Sequence, residues 1–225
     1  MVPTLRGPDP PLGGAVNDFF QFLGNGGPVM VPIGLASVVG VAVFLERLVA
    51  LRSSRVVPAD YAREVVELLK QKRPDDALAA TRKRDCAGAR VVEAAIEARG
   101  SDRSVIKERI EELGRREAAE LERNAAVLGT VASVSPLLGL LGTVWGMIQT
   151  FEVIQVQGAG VVGSLAGGIS QALITTLAGL SVGIPALIGY RWVLARVDSL
   201  VLELEEVGLA VLDLVAGDGG PGKPE

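Results

Sequence analysis

Three charge-free runs decide what this chain can fold into. Phe19 to Leu45 is 27 residues without Asp, Glu, Lys or Arg, Asn124 to Phe151 is 28, and Val153 to Tyr190 is 38. About 20 helical residues cross a bilayer core of about 30 Å, so each run is long enough to span. An amphipathic helix of a soluble bundle would carry charge every few residues. A mean hydropathy of +0.40 and 49% hydrophobic residues fit the same class. The expected fold is an all-α membrane protein with three transmembrane helices and long cytoplasmic helical extensions.

The placement of cations orients the spans. Of 22 Lys and Arg residues, 18 fall between Glu46 and Val127, whereas the first 45 residues hold only Arg6 and the stretch from Phe151 to Gly163 holds none. Cytoplasmic loops carry the excess of Lys and Arg. The chain is therefore expected to start outside and end in the cytoplasm. Residues 1–28 are read as an outer-face segment with a short interfacial helix around Phe19, Phe20, Phe22 and Leu23, and 29–51 as the first span. Residues 52–126 form a cytoplasmic helical region, 127–151 the second span, 152–162 an outer-face hairpin and 163–190 the third span. Residues 191–216 continue as a cytoplasmic helix, and 217–225 are a disordered tail. The leader MVPTLRGPDPPLGG has no apolar core, so no cleavable signal is expected and the first span serves as an uncleaved anchor.

The region after Pro58 has the pattern of soluble helices, with Asp60 and Asp75 at starts and Gly100 at a stop. No breaker stands between Ser101 and Val127, so a helix there is expected to run straight into the second span. Beyond Arg191 an apolar stripe of Val197, Leu200, Val201, Leu204, Val207, Leu209 and Val211 suits packing on partner helices. Glu46 to Val127 balances 18 basic against 16 acidic residues, and with no single-sign basic patch nucleic acid is not an expected partner. Cys86 is the only cysteine and there is no histidine, so no disulfide, zinc or haem site is expected. Without a carboxylate pair, Walker motif or nucleophile elbow in the spans, the expectation is neither an enzyme nor a holder of cofactor or metal.

The second and third spans are built poorly for simple anchoring, because SPLLGLLGTVWGMIQTF carries proline, glycines, threonines and glutamine. Lipid offers no partner for a hydroxyl or for a carbonyl freed by proline. With Thr143 as origin and about 100 degrees per residue, Gly129, Pro136, Gly139, Thr143, Gly146 and Thr150 share one face. On the third span Gly168, Ala172, Thr176, Gly179, Gly183 and Ala186 do the same, with Gln171 near Thr175 at the margin. The two faces either meet or line one cavity. Gly142 with Gly146 and Gly179 with Gly183 have the GxxxG spacing of close helix packing, and a hydroxyl-lined water path through Thr143, Thr175, Thr176 and Gln171 is the other reading.

NAAVLGTVASVSPLLGLLGTVWGMIQTF followed by GGISQALITTLAGLSVGIPALIGYRW resembles the signature of the ExbB/TolQ/MotA family of proton-channel subunits, and GGPVMVPIGLASVVGVAVFLERL extends the similarity to the first span. The resemblance implies a bacterial inner-membrane complex in which several copies, five in the ExbB/TolQ pattern, surround ExbD- or TolR-like single-span partners carrying an intramembrane Asp. Proton flow through that assembly would drive mechanical work on envelope partners. Thr143 and Thr176 match the family's pore threonines. Gln171 stands where ExbB and TolQ carry glutamate, and a neutral amide takes up no proton. The titrating carboxylate is therefore expected on the partner. A non-conducting membrane scaffold that clusters partner proteins is the alternative function.

Overall fold

The computed structural model describes residues 26–157 and 162–217. The interfacial helix expected around Phe19, the centre of the outer hairpin and residues 218–225 lie outside the described residues. The eight described helices are α1 (Met30–Ala50), α2 (Ser53–Val56), α3 (Ala59–Lys70), α4 (Pro74–Arg82), α5 (Ala87–Glu97), α6 (Arg103–Glu122), α7 (Ala125–Gln157) and α8 (Val162–Gly217). No strand occurs among the described residues. Within α1, α7 and α8 the stretches Met30–Ala50, Ala125–Val156 and Ala166–Ala216 are long and apolar enough to cross a membrane, so the all-α, three-span class holds.

The chain divides into two compact units, the first made of residues up to Val41 together with Gly129–Ile188. α1 enters this unit from a tight turn. Gly27 has φ +71, a left-handed conformation that a side chain disfavours. Met30 N–H then donates to the Gly27 carbonyl at 3.2 Å and Val31 N–H to that of Pro28 at 3.3 Å, which starts the helix. Met30 and Ile33 are buried on α1. Outward, Leu35, Val38, Leu137, Leu173 and Ile188 are exposed, an apolar surface that water would penalise and lipid tolerates.

The second unit comprises Ala42–Leu128 and the residues from Gly189 onward. Its core joins Tyr61 and Val65 of α3, Val92 and Ile96 of α5, Ile106 of α6 and the end of α8. α4 opens on Pro74 with Asp75 and Asp76 in its first turn, and Gly100, with φ +86, follows α5. Burial pushes the Tyr61 phenol far above its ordinary value. The apolar stripe of α8 differs from its sequence reading: Val193, Val197, Leu200, Leu204, Val211 and Val215 are buried within this chain, whereas Leu209 is 49% exposed. Gly208 holds the core face one turn before Val211. A Cβ there would lie 2.7 Å from Ile110 Cγ2, so the stripe closes on α6 of its own chain.

α6 does not run straight into α7, because a two-residue turn at Arg123 and Asn124 separates them. The turn has partners that no local pattern announces. Arg47, buried at the end of α1, donates from Nη1 to the Leu121 carbonyl at 3.0 Å and from Nε and Nη2 to Glu46 at 2.7 and 2.6 Å. Asn124 Nδ2 donates to the same Glu46 carboxylate at 3.3 Å. A second buried charge, Glu117 of α6, accepts both Nε and Nη2 of Arg90 at 2.6 Å. Those hydrogen bonds raise the Arg90 guanidinium above its ordinary value, with burial opposing.

Candidate site in the second and third spans

The small faces of α7 and α8 meet. A Cβ added to Gly139 would lie 3.0 Å from the Thr175 carbonyl oxygen and 3.1 Å from Thr176 Cα; one on Gly179 would lie 2.5 Å from the Ser135 carbonyl oxygen. Gly146 sits as tightly on Gly168 and Ala172, Gly142 on the Thr175 side chain, and Gly183 on the Pro136 ring. Backbones approach to this distance only where side chains are absent, which is the work of the glycines. The contact seam thus runs through Ser135, Gly139, Gly142, Gly146 and Thr150 on α7 and through Gly168, Ala172, Thr175, Gly179 and Gly183 on α8.

Thr143 and Thr176 are not at its centre. At about 100 degrees per residue the centre of the seam lies about 60 degrees from Thr143 on α7 and about 60 degrees from Thr176 on α8, in the same rotational sense. The residue pairings descend on one helix as they climb on the other, so α7 and α8 are antiparallel. Equal rotations on antiparallel helices point to the same side, and both threonines therefore edge one open side of the pair. Both are half-buried. Thr143 Oγ1 donates to the Leu140 carbonyl of its own helix at 2.6 Å, while Thr176 Oγ1 donates across the seam to Gly139 at 3.2 Å.

Thr175 and Gln171 have other surroundings. Thr175 is fully buried in the seam, and its hydroxyl donates to the carbonyls of Ala172 and Gln171 at 2.9 and 3.2 Å. Gln171 faces away from the open side and lies against Gly27, where an added Cβ would collide with its amide nitrogen. The structure brings Thr143 and Thr176 to one side of the pair and does not bring Gln171 to them. Thr150, which the helical period places on the small face of α7, is buried there, donates to the Gly146 carbonyl at 2.8 Å and fills the space above Gly168. Ser135, which no sequence pattern marks, is fully buried, and its hydroxyl has no hydrogen-bond partner among the described residues.

Chemically the two spans offer hydroxyls, carbonyls and an amide. Between Ala125 and Phe151, and again between Val162 and Gly189, no side chain is ionisable. Such groups can order water and relay hydrogen bonds, but they cannot themselves hold a proton charge near neutral pH.

Three apolar spans, two of them joined by a glycine seam, define an α-helical integral membrane protein. A profile of the MotA/TolQ/ExbB proton channel family matches residues 83–206, which include the seam and about half of the second unit, and the chain belongs to that family. It is 32% identical over 179 residues to an ExbB-like biopolymer transport protein of Synechocystis, covering 76% of this chain and 68% of that one. It is 41% identical over 85 residues to the Tol-Pal system protein TolQ of Haemophilus influenzae, and 36% identical over 121 residues to the biopolymer transport protein ExbB of Salmonella typhimurium. Those matches span 37% of the TolQ and 50% of the ExbB.

Proposed function

We propose that this chain is the channel-forming subunit of an inner-membrane complex driven by the proton-motive force, which converts proton flow into mechanical work on envelope partners. The N-terminus is outside and the C-terminus in the cytoplasm. The chain assembles as a homo-oligomer, a pentamer in the ExbB/TolQ pattern, around an ExbD- or TolR-like single-span protein whose intramembrane Asp takes up the proton. Thr143 and Thr176 line the water path beside that Asp. The observation that carries this reading is their shared open side of the α7–α8 pair in spans without an ionisable group. A carboxylate brought there by a partner would have its pKa raised by desolvation and would switch protonation as hydration changes. Gln171, held against Gly27, belongs to the support of α1 in this account.

The test uses Thr143→Val with Thr176→Val, which keep shape and remove both hydroxyls. Proton flux is measured in membrane vesicles holding the complex at normal levels. Flux is expected to fall at least tenfold with the oligomer intact, and Thr143→Ser, which keeps a hydroxyl, is expected to retain part of the flux that Thr143→Val loses. Unchanged flux in the double variant would overturn the water path and leave a non-conducting scaffold as the function.

A further inference from the structure

Mid-span polar groups that face away from their own chain need a partner, because lipid offers none. Ser181 of α8 is such a group. It is exposed, and its hydroxyl makes no hydrogen bond among the described residues. Pro185, four residues on, lacks an N–H, so the Ser181 carbonyl also loses its helical donor. Ser133 of α7 is exposed as well. Its hydroxyl donates to the Gly129 and Thr130 carbonyls at 3.0 and 3.1 Å, which leaves its oxygen open as an acceptor.

The two serines lie at one depth on opposite flanks. Gly179 opposes Ser135 and Gly139, and Gly183 opposes Ala132 and Pro136, so Ser181, midway, is level with the turn that holds Ser133. Measured from the seam, Ser133 points about 140 degrees away on α7 and Ser181 about 160 degrees away on α8. One chain cannot bring them together. Copies related by rotation about the membrane normal keep every residue at its own depth, and a head-to-tail contact then sets the α8 flank of one copy on the α7 flank of the next. Around Ser133 that flank carries Leu137, Leu140 and Val144, and around Ser181 it carries Leu177, Ile184 and Ile188, all exposed in the single chain.

We infer that these flanks are the subunit interface, with a second copy of this chain as occupant, and that Ser181 donates to Ser133 of the partner subunit within the span. The inference rests on the oligomer proposed above. It accounts for polar atoms otherwise exposed to lipid, and it leaves the side bearing Thr143 and Thr176 uncovered.

Cross-linking in native membranes tests it, on the full chain with its partners and with Cys86→Ala to remove the native thiol. Ser133→Cys combined with Ser181→Cys should, on oxidation, give a ladder of covalent multimers at least tenfold above either single variant, since a head-to-tail contact propagates. Dimers from Ser181→Cys alone would mean a twofold contact and overturn the assignment. Absence of the ladder in complexes that keep their native size would overturn the contact while leaving the oligomer. A chain carrying only Cys86→Ala that runs as a single copy would sink the oligomer as well. If the serine pair fails to insert, Leu140→Cys with Leu177→Cys, on the same two flanks, carries the same outcomes.

Discussion

At single residues, the seam turns on atoms that are absent. A methyl on Gly179 would meet the Ser135 carbonyl at 2.5 Å and Gly139 Cα at 2.9 Å, and backbone on both sides has nowhere to retreat. Gly179→Ala is therefore expected to destabilise by about 1–3 kcal/mol, the range for overpacking a close contact. Gly167, one position before the seam glycine Gly168, has nothing within 4 Å of an added Cβ. Gly167→Ala should be neutral or stabilise by up to about 1 kcal/mol through the lower helix propensity of glycine. Thermal unfolding of the two variants in the same detergent reads the difference, and equal midpoints would refute the seam. Thr176→Val removes one interhelical hydrogen bond, to Gly139, and by itself should cost only about 0.6 kcal/mol of stability. A sharp drop in proton flux from that single change would thus come from the path and not from packing.

Within and between helices, legibility from sequence followed the range of the cause. The three spans were readable because lipid imposes one requirement, absence of charge over about 20 residues, on every position at once. The small faces were readable for the same reason: helical period is a local property. Their centre was not. Only the partner helix decides that the seam passes through Gly142 and Thr175, leaving Thr143 and Thr176 at its edge. Gln171 met Gly27, 144 positions earlier, and no periodicity within α8 encodes that contact. The break between α6 and α7 was hidden likewise, since the side chain that meets it, Arg47, lies on α1. This gives a test at the level of the element. Arg47→Met leaves the Leu121 carbonyl and the Glu46 carboxylate without their charged donor, a loss of about 1–3 kcal/mol, reduced because Glu46 is 47% exposed. Loosening should concentrate at the turn, so limited trypsin in opened vesicles should cut after Arg123 several-fold faster than in the unaltered protein. An unchanged rate would mean that the turn is held by something other than Arg47.

Across the whole molecule, the direction of the proposed proton-driven work depends on which ends of the spans face the cytoplasm. The proposed topology, which rests on the cation distribution, has the region between α1 and α7 inside, and a labelling experiment decides it. The native thiol is a poor reporter, because Cys86 is buried at 8% exposure and a maleimide would be slow from either side. Its neighbour Asp85 has a side chain that is 96% exposed. In a Cys86→Ala background, Asp85→Cys should react with a membrane-impermeant maleimide only after the inner membrane is opened. Gln155→Cys, at an exposed position near the other end of α7, should react in spheroplasts with the membrane sealed. The two variants check each other, since α7 alone separates the two positions across the bilayer. Labelling of Asp85→Cys and protection of Gln155→Cys in sealed spheroplasts would invert the topology, and with it the side from which the proposed partner's carboxylate would receive its proton.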